Sequence, residues 1–540
     1  GGRPWLERPP LPHWITIGTV SLFGIWDQVW VFRIPNALAG MVTVLLTGWL
    51  AARQFGKEIG LLSGLMLATS YEFLHYSWLA EEDVYLAVAV LIGMVLFVRL
   101  EFHTQSESAT ESRSFFGNRS MSVWMFFLIL GLTNLVKGLL FAAVMVGLSG
   151  GVWLLLSGDP RRLFRYVWLW GIVLFGIVAS WWVVAVSIRY PEMLGIWSGD
   201  LRNRADGSLG SAPFWMYGET LLWTMMPWTI PAIIGLIQTF KTARRQPNSA
   251  ERWLLCWSIV PILFLSIPTH KHHHYLVPCL APWAIFAAIG GRTLWESVPR
   301  WPVWCRQPVL SAAVFGIPAA VALWVFREKI PGPAWIPVLV AVLFPVAILI
   351  SGYALLERHG RQAMGMLLGV LAIGYCGAYS YHGVFIDRYR TEAEFVEQAA
   401  AEVPMDETIY VNAEGAILNT FRNLFYLGSR GKTLHNLTFL QDESITTDQI
   451  YLIGMRECED ELRTYGSIEE VLACSYIPRR NSAGSQWVMY RVTLDPDLPR
   501  YPNDVRISAL QAMERVKGPY LGGQGTSGIR RVGFESRDIQ

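Results

Sequence analysis

Three carboxylates stand side by side at Glu81-Glu82-Asp83, directly before an apolar run. An acid at the start of a helix is favoured by the helix dipole. Simple capping accounts for Asp83 and less well for three acids together. The chemical reading makes Asp83, with Glu82, a candidate general base or an anchor for a substrate hydroxyl or ammonium. Lys137-Gly138 interrupts apolar sequence at a tight turn. Its ammonium can snorkel or meet a phosphate at a membrane surface. In Glu7-Arg8-Pro9-Pro10-Leu11, two prolines stiffen a loop that offers an acid and a base, although a plain connector has the same look. Asp200-Leu-Arg-Asn-Arg204, followed by Pro213-Phe-Trp-Met-Tyr217, reads as a basic lid segment with an aromatic anchor, or as an ordinary long loop. Thr269-His-Lys-His-His-His274 suggests metal at first sight. Adjacent residues do not converge on one ion, and no second ligand motif accompanies them. Lys271 as a phosphate contact, four residues before Tyr275, is the better reading, and no metal ligand is assigned.

These residues need elements to position them, and the composition says which. Of 540 residues, 53% are hydrophobic and only 16% charged. A soluble domain carries roughly 25% charged residues. Mean hydropathy is +0.34. The chain reads as an α-helical polytopic membrane protein. A net charge of +2 implies no nucleic-acid partner. Apolar runs of span length predict about twelve helices, at 35–52, 59–78, 84–100, 121–136, 138–156, 166–187, 218–239, 252–268, 275–290, 308–326, 333–355 and 363–381. Residues 12–31, broken by Gly24, Asp27 and Gln28, read as an interfacial helix. Loops carrying Arg53 and Lys57, Arg161 to Arg165, and Lys241 to Arg245 are the more basic set and are placed in the cytoplasm. All the candidate residues then fall on the outer face.

The organisation expected is an outer loop with the interfacial helix over 1–34, a membrane bundle over 35–383, a small extracytoplasmic α/β domain over 384–496 and a disordered tail over 497–540. Strands are expected at 408–412, 449–453 and 486–492. Cys458 and Cys474 are the one pair for which a disulfide is worth considering. The chain opens on a polar, Pro-rich stretch, which reads as a fragment lacking an N-terminal helix. No nucleotide-binding loop or Ser-His-Asp signature is present. Outside the cell, the energy for a reaction must therefore arrive with the substrate.

An ordered series of short motifs resembles one family. Glu7-Arg8-Pro9-Pro10-Leu11, His13-Trp14, Phe23-Gly24 and Arg33-Ile-Pro-Asn-Ala-Leu38 resemble the E-K-P-P-L, Y-W, F-G and R-L-P-S-A-L stretches of bacterial dolichyl-phosphate-mannose-type transferases. Among these, the aminoarabinose (lipid A) transferases and protein mannosyltransferases of the glycosyltransferase C superfamily are the most similar. Asp83-Val-Tyr-Leu86, Gly131-Leu-Thr-Asn-Leu-Val-Lys137-Gly138, Pro213-Phe-Trp-Met-Tyr217, Pro227-Trp228 and Ser266 through Pro278 continue the series in order. The resemblance covers roughly residues 5–290 well.

It implies an inverting membrane glycosyltransferase with about thirteen spans in full length, working on the outer face of the bacterial plasma membrane. The donor would be a polyprenyl-phosphate sugar, and the acceptor a lipid, glycan or protein. No cofactor is expected, since the lipid-linked sugar is a substrate. Asp83 would be the catalytic carboxylate, with Glu82 and Glu7 beside it. Arg8, Lys137, Lys271, Arg202 and Arg204 would hold the donor phosphate, and Tyr217 and Tyr275 would line the substrate cavity. The family's first catalytic carboxylate would lie upstream of Gly1. Two departures stand out. The family's Lys is Arg8 here, which keeps the charge and changes the geometry. Gly210 stands where some aminoarabinose transferases place a His, so neither their metal site nor lipid A as acceptor is implied. The rival reading is a transporter or flippase of a lipid-linked saccharide, which should show inverted repeats and charges at the bilayer centre.

Overall fold

The computed structural model describes residues 6, 8–26, 28–103, 117, 119–138, 140–206, 211–297, 392–412, 423–434, 437–443, 445–475 and 486–500, with isolated positions between 321 and 369. The spans expected at 308–326, 333–355 and 363–381, the tail beyond 500, and Glu7 lie outside the described residues.

The first unit is helical. Its helices are α1 (Leu11–Phe23), α2 (Val29–Phe55), α3 (Lys57–Ala68), α4 (Tyr71–Trp78), α5 (Asp83–Val98), α6 (Met121–Val136), α7 (Phe141–Leu156), α8 (Leu169–Arg189), α9 (Glu192–Asp206), α10 (Met216–Thr224), α11 (Thr229–Arg245), α12 (Ala250–Ser266) and α13 (Leu280–Ser297). Among the described residues, four helices are long and apolar enough to cross a membrane, and the bent pair α10 and α11 makes a possible fifth. Helix α8 shows why the composition is so apolar: Ile172, Val173, Ile177, Trp181, Val184 and Ile188 all point outward. A surface of that kind is stable against lipid rather than water. Helix α1 starts beside two prolines and stops at Gly24, whose φ of 67° suits a residue without Cβ. Trp14, Ile17, Leu22 and Phe23 are exposed on it, as an interfacial helix requires.

Two expected spans are broken. The run 59–78 divides at Thr69-Ser70 into α3 and α4, and 218–239 divides at Met225–Trp228 into α10 and α11, bent by 120°. The breaks lie against each other. The Tyr71 N–H donates to the Met226 carbonyl at 3.0 Å, and the Trp228 indole donates to the Thr69 hydroxyl at 2.8 Å. Irregular backbone survives at membrane depth only when protein satisfies it, and these contacts do so. Small residues bring the helices close: a methyl at Gly60 would meet Ala52 and the Gly48 carbonyl, and one at Gly235 would meet the Phe286 carbonyl. The Asp200–Arg204 stretch read as part of a lid or long loop instead lies on α9. Glu192 sits in its first turn, where a negative charge is favoured.

The second unit holds α14 (Glu392–Ala401) and five strands: β1 (Ile409–Asn412), β2 (Gly431–Leu434), β3 (Gln449–Met455), β4 (Gly466–Ala473) and β5 (Trp487–Leu494). Sheet order is β2-β1-β3-β5-β4, with β1 parallel to β2 and β3, and β5 antiparallel to β3 and β4. The three central strands are those expected from sequence. β3 buries both faces: Tyr451 and Ile453 pack with Phe395, Val396 and Trp487, while Ile450 and Leu452 pack with Leu437, Leu440 and Leu462. Side chains on a strand alternate between faces, so covering both makes a layered α/β unit. Cys458 and Cys474 are free thiols, so the disulfide considered from sequence is absent.

Candidate active site

Helix α5 begins at Asp83, whose side chain is 2% exposed. The turn before it is held from α2, where the buried Asn36 amide donates to the Glu81 carbonyl. Helix α6 ends at Lys137. Asn134 fixes the turn that follows by accepting from the Leu140 N–H at 3.0 Å and donating to the Ala179 carbonyl at 2.7 Å. Leu140 itself adopts a left-handed φ of 58°. These anchors bring two helix ends together. The Lys137 ammonium donates to Asp83 Oδ1 at 2.7 Å and lies 3.6 Å from Glu82 Oε1. The same ammonium sits 4.7 Å from the centre of the Tyr275 ring, a cation–π contact. Arg8 donates to Glu82 Oε1 at 3.2 Å from a side chain that is 42% exposed.

The electrostatics follow from burial. Lys137 is nearly buried, which pulls its pKa down, but Asp83 and Glu82 outweigh that and hold it above the ordinary lysine value. Lys271 goes the other way: burial lowers its pKa. It donates to the Ala212 carbonyl at 3.0 Å, and among the described residues no carboxylate lies within ion-pair distance. Two carboxylates, Glu82 and Asp83, and two cations, Arg8 and Lys137, make up the cluster, so an incoming anion must displace a carboxylate from Arg8 or Lys137. The exposed Arg8–Glu82 contact is the cheaper one to open.

The structure therefore brings Arg8, Glu82, Asp83, Lys137 and Tyr275 together. Lys271 shares the loop that carries Tyr275 but makes no contact with Asp83 or Lys137. Tyr217 is fully buried in the helical core. Its phenol lies against the His272 backbone and Tyr275. Arg202 is exposed on α9 with no ion pair among the described residues, and the Arg204 side chain lies outside them.

Sequence reasoning missed Glu72. This residue of α4 is fully buried, and its Oε1 lies 2.7 Å from His273 Nδ1. Tyr76 packs its ring against His273 and His274. An acid within Tyr71-Glu-Phe-Leu-His75 looks like any amphipathic helix, and its partner is 201 residues away. The His run thus serves as a packed, hydrogen-bonded loop: His270 and His272 bond through their Nε2 atoms at 2.9 Å, and His272 stacks on His274. Among the described residues no three His, Cys, Asp or Glu side chains are placed to hold one metal ion.

The fold is similar to that of a protein of known structure. ArnT from Cupriavidus metallidurans bound to undecaprenyl phosphate superposes with a TM-score of 0.64 at 19% identity, covering 92% of this chain and 89% of that one. Its apo state superposes at 0.62. The family resemblance read from the sequence is borne out. Residues 7–184 match the model of the dolichyl-phosphate-mannose-protein mannosyltransferases. The undecaprenyl phosphate-alpha-4-amino-4-deoxy-L-arabinose arabinosyl transferase of Erwinia tasmaniensis is 26% identical over 59% of this chain and 55% of its own length. That of Photorhabdus laumondii is 29% identical over 53% and 50%. The chain thus spans about half the length of the curated relatives it matches.

Proposed function

We propose that this chain is a membrane glycosyltransferase that moves a sugar from a polyprenyl-phosphate donor to a lipid, glycan or protein acceptor on the outer face of the bacterial inner membrane. The observation that carries this reading is the buried Asp83–Lys137 pair, joined by Glu82 and Arg8, at the end of apolar helices. The chemistry needs a cation for a leaving phosphate and a carboxylate for a hydroxyl proton, side by side at a lipid boundary. The curated relatives are named for an undecaprenyl-phosphate-linked aminopentose, which supports a donor of that class.

In the proposed step, the acceptor oxygen attacks the anomeric carbon from the face opposite the phosphate. The bond from that carbon to the phosphate oxygen breaks, and polyprenyl phosphate leaves with the electron pair. The acceptor proton passes to Asp83. In the resting site the Lys137 ammonium holds Asp83 Oδ1 at 2.7 Å, so the carboxylate is occupied. A phosphate that draws the Lys137 ammonium toward itself uncovers the carboxylate, so donor binding arms the base. Arg8 leaves Glu82 to meet the same phosphate, and Lys271 offers a second cation from the 269–275 loop. Two prolines hold the Arg8 backbone, and the C-terminal α/β unit is read as extracytoplasmic.

Transport is the weaker reading. The break between α10 and α11 resembles a transporter's broken helix, but apolar residues such as Leu221, Ile233, Ile262 and Trp283 line the cavity beside it. A transporter would place charge there. The two readings part in sealed vesicles loaded with a polyprenyl-phosphate sugar and an acceptor. Formation of glycosylated acceptor and free polyprenyl phosphate is expected. Movement of intact lipid-linked sugar between leaflets, with no new glycosidic bond, would overturn the proposal.

A further inference from the structure

A cavity of about 230 Å³ lies at the far ends of α2 and α5, lined by Trp49, Leu50, Arg53, Val95, Val98 and Arg99. Its position along the bundle follows from the helices. Asn36 on α2 touches the Glu81 turn, and Asp83 opens α5, so both helices meet the acid–lysine cluster at these residues. Arg53 and Arg99 come 17 and 16 residues later, about 24–26 Å further along at 1.5 Å per residue. That separation approaches the roughly 30 Å of a hydrocarbon core. The cavity therefore sits at the opposite rim of the bundle, at headgroup level.

Its chemistry is specific. The Arg53 guanidinium lies 5.5 Å from the centre of the Trp49 ring, which is itself half-exposed. A guanidinium stacked on an indole keeps its N–H edge free for a phosphate oxygen. Arg99, also exposed, faces the same cavity from the neighbouring helix. Leu50, Val95 and Val98 provide an apolar wall, and tryptophan is the residue type favoured at the membrane interface. Glu101, two residues after Arg99, is held by other partners. Its side chain is 2% exposed, accepts from Tyr166 and Arg165 and lies 3.8 Å from Arg162. If the arginines served only to cap the last turns of α2 and α5, neither the cavity between them nor the apolar wall would be needed.

We propose that this cavity is a binding site for an anionic phospholipid headgroup in the leaflet opposite the acid–lysine cluster, with Arg53 and Arg99 on the phosphate and Leu50, Val95 and Val98 against the glycerol and upper acyl chains. Basic pockets between membrane helices select anionic lipids in this way. The test uses the full chain in nanodiscs of equal phosphatidylglycerol and phosphatidylcholine, with native mass spectrometry of the lipids retained on release. The expected result is retention of phosphatidylglycerol over phosphatidylcholine by about tenfold or more. That preference should fall to near unity in the Arg53→Gln/Arg99→Gln double variant and survive excess inorganic phosphate. Single variants, each eluting and melting as the parent does, should each lose part of it, which separates lost binding from lost folding. Equal retention of the two lipids, a preference untouched by the substitutions, or displacement by inorganic phosphate would each overturn the proposal.

Discussion

Asp83 and Lys137 share one hydrogen bond of 2.7 Å in a site that excludes most water, and the consequences are opposite for stability and for chemistry. Removing one member leaves the other charge buried and unpaired, which costs about 3–5 kcal/mol, whereas removing both costs far less. Lys137→Met should therefore lower the melting temperature of the purified protein strongly, and adding Asp83→Asn should restore much of it. A double variant as unstable as the sum of the singles would deny the pairing. The sign of the pH effect follows from the raised pKa of Lys137. Its contribution is complete below the ordinary lysine value, about 10.4, and fades only as pH rises through the higher folded value. Lys271 should behave in the other direction. Burial lowers its pKa, so the alkaline limb of kcat/KM should fall below the ordinary lysine range and shift upward in Lys271→Arg. An unchanged limb in that variant would take Lys271 out of phosphate binding.

Helices place these groups, and their legibility in sequence was uneven for physical reasons. Asp83 and Lys137 were readable because an ionisable residue at the end of an apolar run is costly and stands out. The bounds of α6 match the apolar run 121–136 because lipid and core demand the same residues along its whole length. The breaks at Thr69-Ser70 and Met225–Trp228 left no such mark, since hydropathy continues across them and their backbone groups bond to each other. Strands β2 and β4 were missed for a related reason. They are the edge strands of the sheet, and Gly431-Lys-Thr-Leu434 and Gly466-Ser-Ile-Glu-Glu470 carry the polar residues that edges tolerate. Glu72 was hidden because only the fold brings α4 against His273. At this scale the close crossing of α11 and α13 is the testable feature. Gly235→Ala and Gly290→Ala should each destabilise by about 1–3 kcal/mol through overpacking, since their new methyls would meet the Phe286 and Pro231 carbonyls. Gly147→Ala, with open space around the position, should not. Thermal shifts of the three variants in one detergent decide the point, and equal melting temperatures would contradict the packing.

Across the whole molecule, two rims of one helical bundle carry different chemistry. At one rim, Glu82 and Asp83 pair with Lys137 and with Arg8, the more exposed of the two cations. At the other, arginines gather around a cavity between α2 and α5. The account rests on Asp83 as the group that takes the acceptor's proton once the donor phosphate has drawn Lys137 away. The most direct measurement is the single-turnover rate of sugar transfer from a polyprenyl-phosphate donor by the protein and its Asp83→Asn variant, with the donor saturating. The account predicts a rate lower by about 10²–10⁴ while donor binding is kept. A variant that transfers sugar at the parent rate would contradict it.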